Sequence, residues 1–409
     1  MAPFIDKVID WSGYNTNGAN IGHGYGQVNF VDATYKNFTV DPDLGLTKLL
    51  KTTNPKWSID IHEHQLTSRN TLLVSAYNNT PYDLTAYGGP KHGWIADSMF
   101  FELDVATSKV LFSWTASDHV PLNSSHQPII TPLSNATESA PWDWFHINSV
   151  DTVGSDYLVN GRHVWSTYAV SSKDGSVIWS IEGENGGSFG ELPADGTFSW
   201  QHYARAHNVT PTGLDLSMFD NHNSNVSNGT GPSNGLVFHL ELPASKSYTP
   251  QLLRKIETLA DEIYAESQGL YTPDLPNGNQ FLGYGAVPVA REYGPATDGS
   301  DLRWQATFGG PNIVQSYRAF KYEWVATPAA WDPSLAVVDG KAYVSWNGDT
   351  QTTEWNVYSS LGSGTVTKGV AARKGFETVF EIPSGAKTVH VGAVQNDTEV
   401  RQSNTVKIS

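Results

Sequence analysis

The sequence predicts an all-β fold, a β-propeller of five or six four-stranded blades followed by a small C-terminal β-sandwich segment, and three observations predict it. Aromatic residues make up 12% of the 409 residues and charged residues only 16%, while 37 glycines and 22 prolines supply turns. This composition is typical of β proteins. Short segments with alternating apolar residues recur along the chain. Their spacing is regular, as a blade repeat requires.

The repeat is clearest in three segments that each consist of a turn followed by a strand ending near tryptophan: "TSKVLFSW" (107–114), "KDGSVIWS" (173–180) and "TDGSDLRW" (297–304). Val110 and Val177 are 67 residues apart, and Val177 and Leu302 are 125 apart, or about twice 62. A period in the low sixties is longer than the ~40–50 residues of common propeller repeats and suits blades with long loops. The intervening copy is expected near "NGLVFHLELP" (234–243).

Two other strands precede each tryptophan strand, so four nearly complete units are predicted. They span about residues 58–117, 140–183, 198–260 and 266–309, and residues 10–45 look like part of a fifth. The segment 249–270 has a helix-like apolar period, but its position in the repeat predicts strands. The Asn-rich tract 221–235 is predicted to be an exposed loop within a blade.

The character of the sequence changes near residue 330, which divides the chain into a predicted propeller domain, residues 1–329, and a C-terminal unit, residues 330–409. Short alternating strands such as "LAVVDGKAYVSW" and "KTVHVGAVQN" follow. This pattern favours a small β-sandwich of the immunoglobulin or fibronectin type.

Charge and cysteine content exclude several classes of function. The formal net charge of −16 disfavours a nucleic-acid partner, which requires a basic surface. With no cysteine the chain has no disulfide, zinc-thiolate site or thiol nucleophile. No apolar run is long enough to span a membrane, and "MAPFIDKVID" lacks the apolar region of a signal peptide. A small anionic ligand remains compatible with a local cationic cluster.

Eight asparagines fit the N-glycosylation pattern Asn-x-Ser/Thr. The number and the turn-like contexts of these sequons predict a eukaryotic protein of the secretory pathway. The acceptor residues are Asn37, Asn78, Asn123, Asn135, Asn208, Asn225, Asn228 and Asn396.

Histidines are the most informative titratable residues. His62, His146 and His202 each lie at the start of a predicted unit, just before its first strand. The first strands of propeller blades line one central channel, so these side chains are expected to meet there. His163, later in the second unit, is a further candidate for substrate binding.

Polar neighbours of these histidines suggest the kind of ligand. Arg162 and Arg205 offer guanidinium forks for a tetrahedral oxyanion such as sulfate or phosphate, and Asn148 lies two residues after His146, on the same strand face. Asp60 orients His62 or is a solvated acid, and Glu63 is predicted to be solvated. Because no His-x-x-x-His spacing or carboxylate partner accompanies the histidines, metal binding is the less favoured alternative and no metal site is predicted.

Several segments resemble the fungal branch of the arylsulfotransferase family. The similarity runs from roughly residue 10 to 350 and includes "DIHEH", "PWDWFHINSVDTVGSDYLVNGRHV", "WQHYARAH", "LSMFDN" and "QSYRAFKYEWVATP", in the family's order. The resemblance implies a six-bladed propeller that moves a sulfuryl group between phenols without a nucleotide sulfate donor or other cofactor. It also implies that one blade is missing before "VIDWSGYN".

The resemblance further implies roles for individual residues. His202 matches the histidine that becomes sulfated on nitrogen. His62, His146 and Arg162 match catalytic positions, and Asn148 matches a substrate-binding position. The sequence leaves two other functions open. One is a tailoring enzyme of secondary metabolism, such as a cyclase acting on a phenol-derived quinone methide, and the other is a secreted binding propeller without catalysis. The oligomeric state is not predicted.

Overall fold

The computed structural model describes residues 59–408 apart from residues 106, 108, 133, 225, 227–230, 259, 311–312, 363 and 365. Before residue 59 it describes only the backbone of three strands, so the expectation of a missing first blade lies outside the described residues. These strands form one antiparallel sheet, to which a fourth short strand is added through β2. They are β1 (Val8–Asn15), β2 (Gly24–Val31), β3 (Asn37–Thr39) and β4 (Ile59–Asp60).

Four antiparallel sheets follow, each of four strands paired in chain order. The first sheet contains β5 (His64–Leu66), β6 (Thr71–Tyr82), β7 (Gly93–Asp104) and β8 (Val110–Thr115). The second contains β9 (Ile147–Val153), β10 (Asp156–Gly161), β11 (Ser166–Val170) and β12 (Val177–Glu182). The third contains β13 (His202–Thr210), β14 (Gly213–Asp220), β15 (Asn234–Glu241) and β16 (Gln251–Ile256). The fourth contains β17 (Leu270–Thr272), β18 (Gln280–Gly283), β19 (Val289–Tyr293) and β20 (Leu302–Thr307).

The four predicted units correspond to these four sheets, and the three tryptophan segments are the last strands β8, β12 and β20. The position expected for the intervening copy was wrong. Residues 234–243 overlap β15, the third strand of its sheet, whereas the last strand is β16. The polar tract between β14 and β15 lengthens this unit, so the repeat is less even than the tryptophan spacing suggests.

Residues 249–270 form no helix in their described part. They contribute β16 and lead into β17, as the repeat predicted, and helix elsewhere in the described residues is limited to four single 3-10 turns. These are Thr85–Tyr87, Ala116–Asp118, Leu122–Ser124 and Ala194–Gly196. No helix in the described part of the chain is long and apolar enough to cross a membrane.

The first strands of successive sheets lie side by side. On β9, Ser149 Oγ accepts a hydrogen bond from Ala204 N of β13 at 3.0 Å, and Asp151 Oδ1 accepts one from Gln65 Nε2 of β5 at 2.9 Å. Side chains of one first strand therefore bind both neighbouring first strands. This is the arrangement of blades around a shared axis.

Each pair of successive sheets encloses a hydrophobic core. Tyr77 and Phe100 pack with Tyr157 between the first and second sheets. Leu158 and Leu216 belong to the core between the second and third. The core between the third and fourth contains Phe219, Tyr271 and Leu282. Packing sheet against sheet leaves the starts of the first strands facing the axis.

The C-terminal strands form a three-stranded sheet, β21-β22-β25, and a five-stranded sheet, β24-β23-β26-β27 with β28 paired to β26. Both contribute to one core that contains Val344, Trp355 and Val391. The strands are β21 (Ser334–Val338), β22 (Lys341–Ser345), β23 (Glu354–Ser360), β24 (Val366–Ala372), β25 (Glu377–Glu381), β26 (Thr388–Gln395), β27 (Thr398–Gln402) and β28 (Val406–Lys407).

Candidate active site

The structure brings the predicted histidines together. The ring centroids of His62 and His146 are 4.6 Å apart, and those of His146 and His163 are also 4.6 Å apart. His202 faces the same space, because Tyr317 has its ring centroid 5.3 Å from that of His62 and 6.4 Å from that of His202. All four imidazoles are buried. They form the histidine cluster of the following paragraphs.

Local backbone geometry places these side chains. His146 has φ of 57°, and Trp200, two residues before His202, has φ of 58°. This left-handed conformation is strained for residues with a side chain and occurs preferentially at functional sites. The turn after β10 then folds back on His146, whose carbonyl accepts a 3.0 Å hydrogen bond from Arg162 N.

Carboxylates hold two of the rings. His62 Nδ1 is hydrogen-bonded to Asp60 Oδ1, and His146 Nδ1 to Asp143 Oδ2. The structure thus assigns Asp60 the orienting position rather than that of a solvated acid. A carboxylate on Nδ1 fixes the orientation of the ring.

Arg162 and His163 form the next part of the cluster. Arg162 Nη1 donates to His163 Nε2 at 2.7 Å, so His163 Nδ1 carries the proton and donates to Asp143 O at 2.5 Å. Burial holds the pKa of His163 well below its ordinary value, and it also lowers the pKa of Arg162 to about 10. The arginine remains the permanent cation of the site at neutral pH.

Asp143, His146 and His163 each place a ligand atom within 4.8 Å of the others, which is close enough to hold a metal ion. The hydrogen bonds of the three residues account for this proximity, because both histidines direct Nδ1 at Asp143. The guanidinium bound to His163 also repels a cation at that position.

His202 is held by an amide and by a loop. Its Nδ1 is 2.6 Å from Asn221 Oδ1, and its Nε2 accepts a hydrogen bond from Gln268 N at 3.1 Å. The same loop binds the arginine, since Glu266 O accepts from Arg162 Nη2 at 2.8 Å. Residues 266–268 therefore cover both groups, and a ligand that reaches His202 must displace them.

Several buried donors next to the histidine cluster have no acceptor among the described residues. They include Arg162 Nε and the hydroxyl of Tyr317. Burial raises the pKa of Tyr317, so its hydroxyl stays protonated at neutral pH. A buried donor without a partner costs about 1–3 kcal/mol, which an incoming acceptor would recover. The site is therefore suited to a small ligand rich in oxygen acceptors.

Arg205 is used differently from what the sequence suggested. Its Nη2 binds Glu63 Oε2 at 2.8 Å, and Arg318 Nη1 binds Glu63 Oε1 at 2.8 Å. Glu63 is fully buried, so the prediction of a solvated acid was wrong. Two arginines and a backbone N–H from Val150 compensate the charge of this carboxylate. The guanidinium of Arg205 thus connects β13 to the residue before β5 and is already paired.

Both ends of the Asn148 amide are hydrogen-bonded to other residues of the protein. Its Nδ2 donates to Gln201 O at 2.8 Å, and its Oδ1 accepts from Asn160 Nδ2 at 2.7 Å. These bonds connect β9 to the residue before His202. In this structure Asn148 fixes the distance between two parts of the histidine cluster.

Sequence reasoning missed Asp143, Asn221 and Tyr317. Asp143 has the one available signal, a spacing of three residues before a candidate histidine. Asn221 begins the Asn-rich tract that composition predicts to be an exposed loop, yet Asn221, Asn223 and Ser233 of that tract are buried. Tyr317 lies outside the predicted units, so the repeat gives no reason to place it at the axis.

The predicted glycosylation sites differ in exposure. Asn78 is half-buried within β6, while Asn37, Asn225 and Asn228 lie outside the described side chains. The exposed acceptors are Asn123, Asn135, Asn208 and Asn396.

Comparisons with known proteins give one family. The sequence model of the family described as arylsulfotransferase (ASST) matches residues 6–309. No curated protein sequence matches the chain.

Three solved structures similar to this chain share 10–14% of its sequence. The quinohemoprotein alcohol dehydrogenase of Comamonas testosteroni is 14% identical with a TM-score of 0.32, and the match covers 83% of this chain and 54% of that one. The chain thus spans about half the length of that protein. The periplasmic gluconolactonase of Pseudomonas aeruginosa is 12% identical with a TM-score of 0.33, covering 98% and 94% of the two chains. The Dos1 propeller is 10% identical with a TM-score of 0.29, covering 90% and 72%. Such low scores carry no argument about the site.

Proposed function

The chain belongs to the arylsulfotransferase family, and we propose that it transfers a sulfuryl group from one phenolic compound to another by way of a sulfated His202. No cofactor is required in this proposal. Donor and acceptor phenols use the site in turn, as in a ping-pong reaction.

The observation that carries the proposal is a pair of buried donors without acceptors, Arg162 Nε and the Tyr317 hydroxyl, beside four buried imidazoles. A sulfate ester presents three non-bridging oxygens and one negative charge. The guanidinium of Arg162 and the hydroxyl of Tyr317, both next to the histidine cluster, would stabilise the charge that these oxygens carry in the transition state. An imidazole of the same cluster supplies the nucleophile.

In the first half-reaction, Nε2 of neutral His202 attacks sulfur as the bond between sulfur and the phenolic oxygen breaks. The leaving phenolate takes the bonding electron pair, and one of the carboxylate-backed histidines, His62 or His146, protonates it. Phenols ionise near a pKa of ~10, so a phenolate is an adequate leaving group. The second half-reaction reverses these steps with the acceptor phenol.

The experiment uses p-nitrophenyl sulfate as donor and an unsubstituted phenol as acceptor. We expect nitrophenol release and a sulfated peptide that contains His202, and we expect His202→Ala to reduce release by at least about 10³-fold. The matched control is His207→Ala, because His207 is a half-buried histidine of the same strand that binds Ser217. Absence of both release and adduct in the wild type would contradict the proposal. Turnover of a phenolic substrate that survives His202→Asn would favour a hydrogen-bonding enzyme such as a cyclase.

The finer assignments are proposals too. The quoted motifs support the fungal branch of the family, and the regular sheets support a propeller of five or six blades. The shared core of the C-terminal sheets supports a small β-sandwich. Four exposed sequons support passage through the secretory pathway, which glycosidase treatment of the native protein would test by a fall in mass.

A further inference from the structure

We infer that Asn221 is a positioning residue that keeps the proton of His202 on Nδ1, so that Nε2 is the nitrogen that accepts the sulfuryl group. The assignment of the proton rests on geometry alone. Its catalytic consequence rests on the proposed function.

The orientation of the Asn221 amide is fixed by two carbonyl groups. Its Nδ2 donates to Ala265 O at 2.9 Å and to Gln268 O at 3.0 Å. Both amide hydrogens are thereby used, so the atom that faces His202 Nδ1 at 2.6 Å is the oxygen. An oxygen at that distance requires a proton on Nδ1. Asn221 is fully buried, which protects this arrangement from competing water.

The second ring nitrogen leads to the same conclusion independently. His202 Nε2 is 3.1 Å from the backbone nitrogen of Gln268, which can act only as a donor. Nε2 must therefore carry the lone pair. The hydrogen bonds at both ring nitrogens therefore specify the same tautomer. In this tautomer the lone pair of Nε2 points at residues 266–268, the loop that a substrate must displace.

The partner of Nδ1 distinguishes His202 from two other members of the histidine cluster. His62 and His146 have carboxylates at this position, whereas His202 has a neutral amide oxygen. An amide oxygen orients the ring without stabilising its protonated form to the same degree. The neutral partner therefore selects His202 as nucleophile and leaves the carboxylate-backed rings suited to proton transfer.

The group-transfer step balances with this proton placement. The Nε2 lone pair forms the bond to sulfur, the phenolate leaves with its electron pair, and Nδ1 keeps its proton throughout. The sulfated ring carries one positive charge on the imidazolium and one negative charge on the sulfuryl group. Asn221 keeps its hydrogen bond to Ala265 O, which lies outside the displaced residues 266–268, and binds the Nδ1–H before and after the step, so the ring does not rotate between half-reactions.

The charged and titratable groups around His202 come from three parts of the chain. They are Arg162 from the turn after β10, His62 from the segment before β5, and Tyr317 with Arg318 from the segment after β20. Burial and the cationic groups among them hold the pKa of His202 well below its ordinary value. Replacing the Asn221 amide by a carboxylate should oppose this effect.

The test compares wild type, Asn221→Asp and Asn221→Ala in two measurements. In the first, nitrogen NMR of protein labelled at histidine identifies the proton-bearing nitrogen of His202, which is assigned by loss of its signals in His202→Gln. We expect a protonated Nδ1 and a bare Nε2 in the wild type, and a His202 pKa raised by about one unit or more in Asn221→Asp. In the second, the pH dependence of nitrophenol release should shift upward by a similar amount in Asn221→Asp. Asn221→Ala should lower release about 100-fold at neutral pH.

Asn223→Ala is the matched control. Asn223 Nδ2 donates to the main-chain oxygen of Asn221 at 2.8 Å, so this variant perturbs the same segment but keeps the amide on His202. We expect it to keep the tautomer and the pH profile. A proton on Nε2 in the wild type would overturn the inference, as would an unchanged His202 pKa in Asn221→Asp. If the NMR result holds but the wild type neither releases nitrophenol nor becomes sulfated, the assignment of Asn221 stands and the proposed function fails.

Discussion

Glu63 is a fully buried carboxylate outside the histidine cluster, and its charge affects the stability of the fold. Burial alone would raise the pKa of its carboxyl, but Arg205 and Arg318 outweigh burial and lower the pKa to about 2 from the ordinary 4.5. Such a group stabilises the fold above pH 4.5, and this contribution is lost as the pH falls towards 2. A difference of this size corresponds to about 3 kcal/mol.

We therefore predict that Glu63→Gln destabilises the protein at pH 7 by about 3–5 kcal/mol, because two buried guanidinium groups lose their counter-charge. The difference in unfolding free energy between wild type and variant should shrink as the pH is lowered from 4.5, which urea titrations at several pH values would measure. Glu191→Gln makes the same chemical change at an exposed position and should alter stability little. A difference that stays constant with pH would contradict the prediction.

The lowered pKa of His202 predicts the acid side of the pH profile. Burial, reinforced by Arg162, keeps the imidazole neutral below the ordinary value of 6.5. The nucleophile is then available throughout the neutral range, so the acid limb of the kcat/KM profile for p-nitrophenyl sulfate should lie below pH 6.5. An acid limb at or above 6.5 would be inconsistent with this environment.

Sequence reasoning at the residue scale succeeded where a residue type recurs at the same place in the repeat. Three histidines at unit starts and Arg162 do lie in one cluster. Reasoning failed for residues whose partners come from distant segments. Nothing near Glu63 in sequence reveals that Arg205 and Arg318 both bind its carboxylate, because the three meet only when the first strands surround the axis.

Among the elements, β9 and β10 contain a buried amide network that connects them to β13. Asn160 Oδ1 accepts from Thr167 Oγ1 at 2.7 Å and from Gln201 Nε2 at 2.9 Å, and its Nδ2 donates to Asn148 Oδ1. All these groups are buried. A buried network of this kind fixes the relative position of two sheets.

Asn160→Leu is expected to cost about 3 kcal/mol or more in unfolding free energy, because it leaves several buried polar groups without partners. Thr167→Val removes only one donor to the same oxygen and should cost about 1 kcal/mol. Chemical unfolding of both variants measures the contrast. Equal effects would mean that the network contributes no more than its individual bonds.

Alternating apolar residues predicted where most strands lie, since burial of one strand face leaves a direct record in the sequence. The same pattern did not show that residues 234–243 form the third strand of their unit and not the fourth. The third and fourth strands of a sheet have the same alternation of apolar and polar residues. The Asn-rich tract before β15 also lengthens the unit, so counting residues from the preceding tryptophan strand led to β15 instead of β16. The amide network leaves no periodic signal because its polar residues occupy positions that the pattern reserves for apolar ones.

For the whole molecule, the change of character near residue 330 has a physical counterpart in the separate core of the C-terminal sheets, whose members all lie between Leu335 and Ile408. Hydrogen bonds to the C-terminal sheets also involve residues that precede Leu335 in the chain. Ala326 N donates to Thr350 Oγ1 at 2.9 Å, and Arg401 Nε donates to Asp332 Oδ1 at 2.6 Å. The segment before β21 is therefore hydrogen-bonded to the C-terminal part of the chain.

A self-contained core predicts independent folding, because the cooperative unit of unfolding is the set of residues that share one core. We expect the full chain to unfold in two calorimetric transitions and a fragment of residues 326–409 to unfold cooperatively near one of them. A fragment beginning at residue 334 should be less stable, since it lacks the bonds made by Ala326 and Asp332. If the full chain shows a single transition and the longer fragment is unfolded, the two sets of sheets depend on each other for stability.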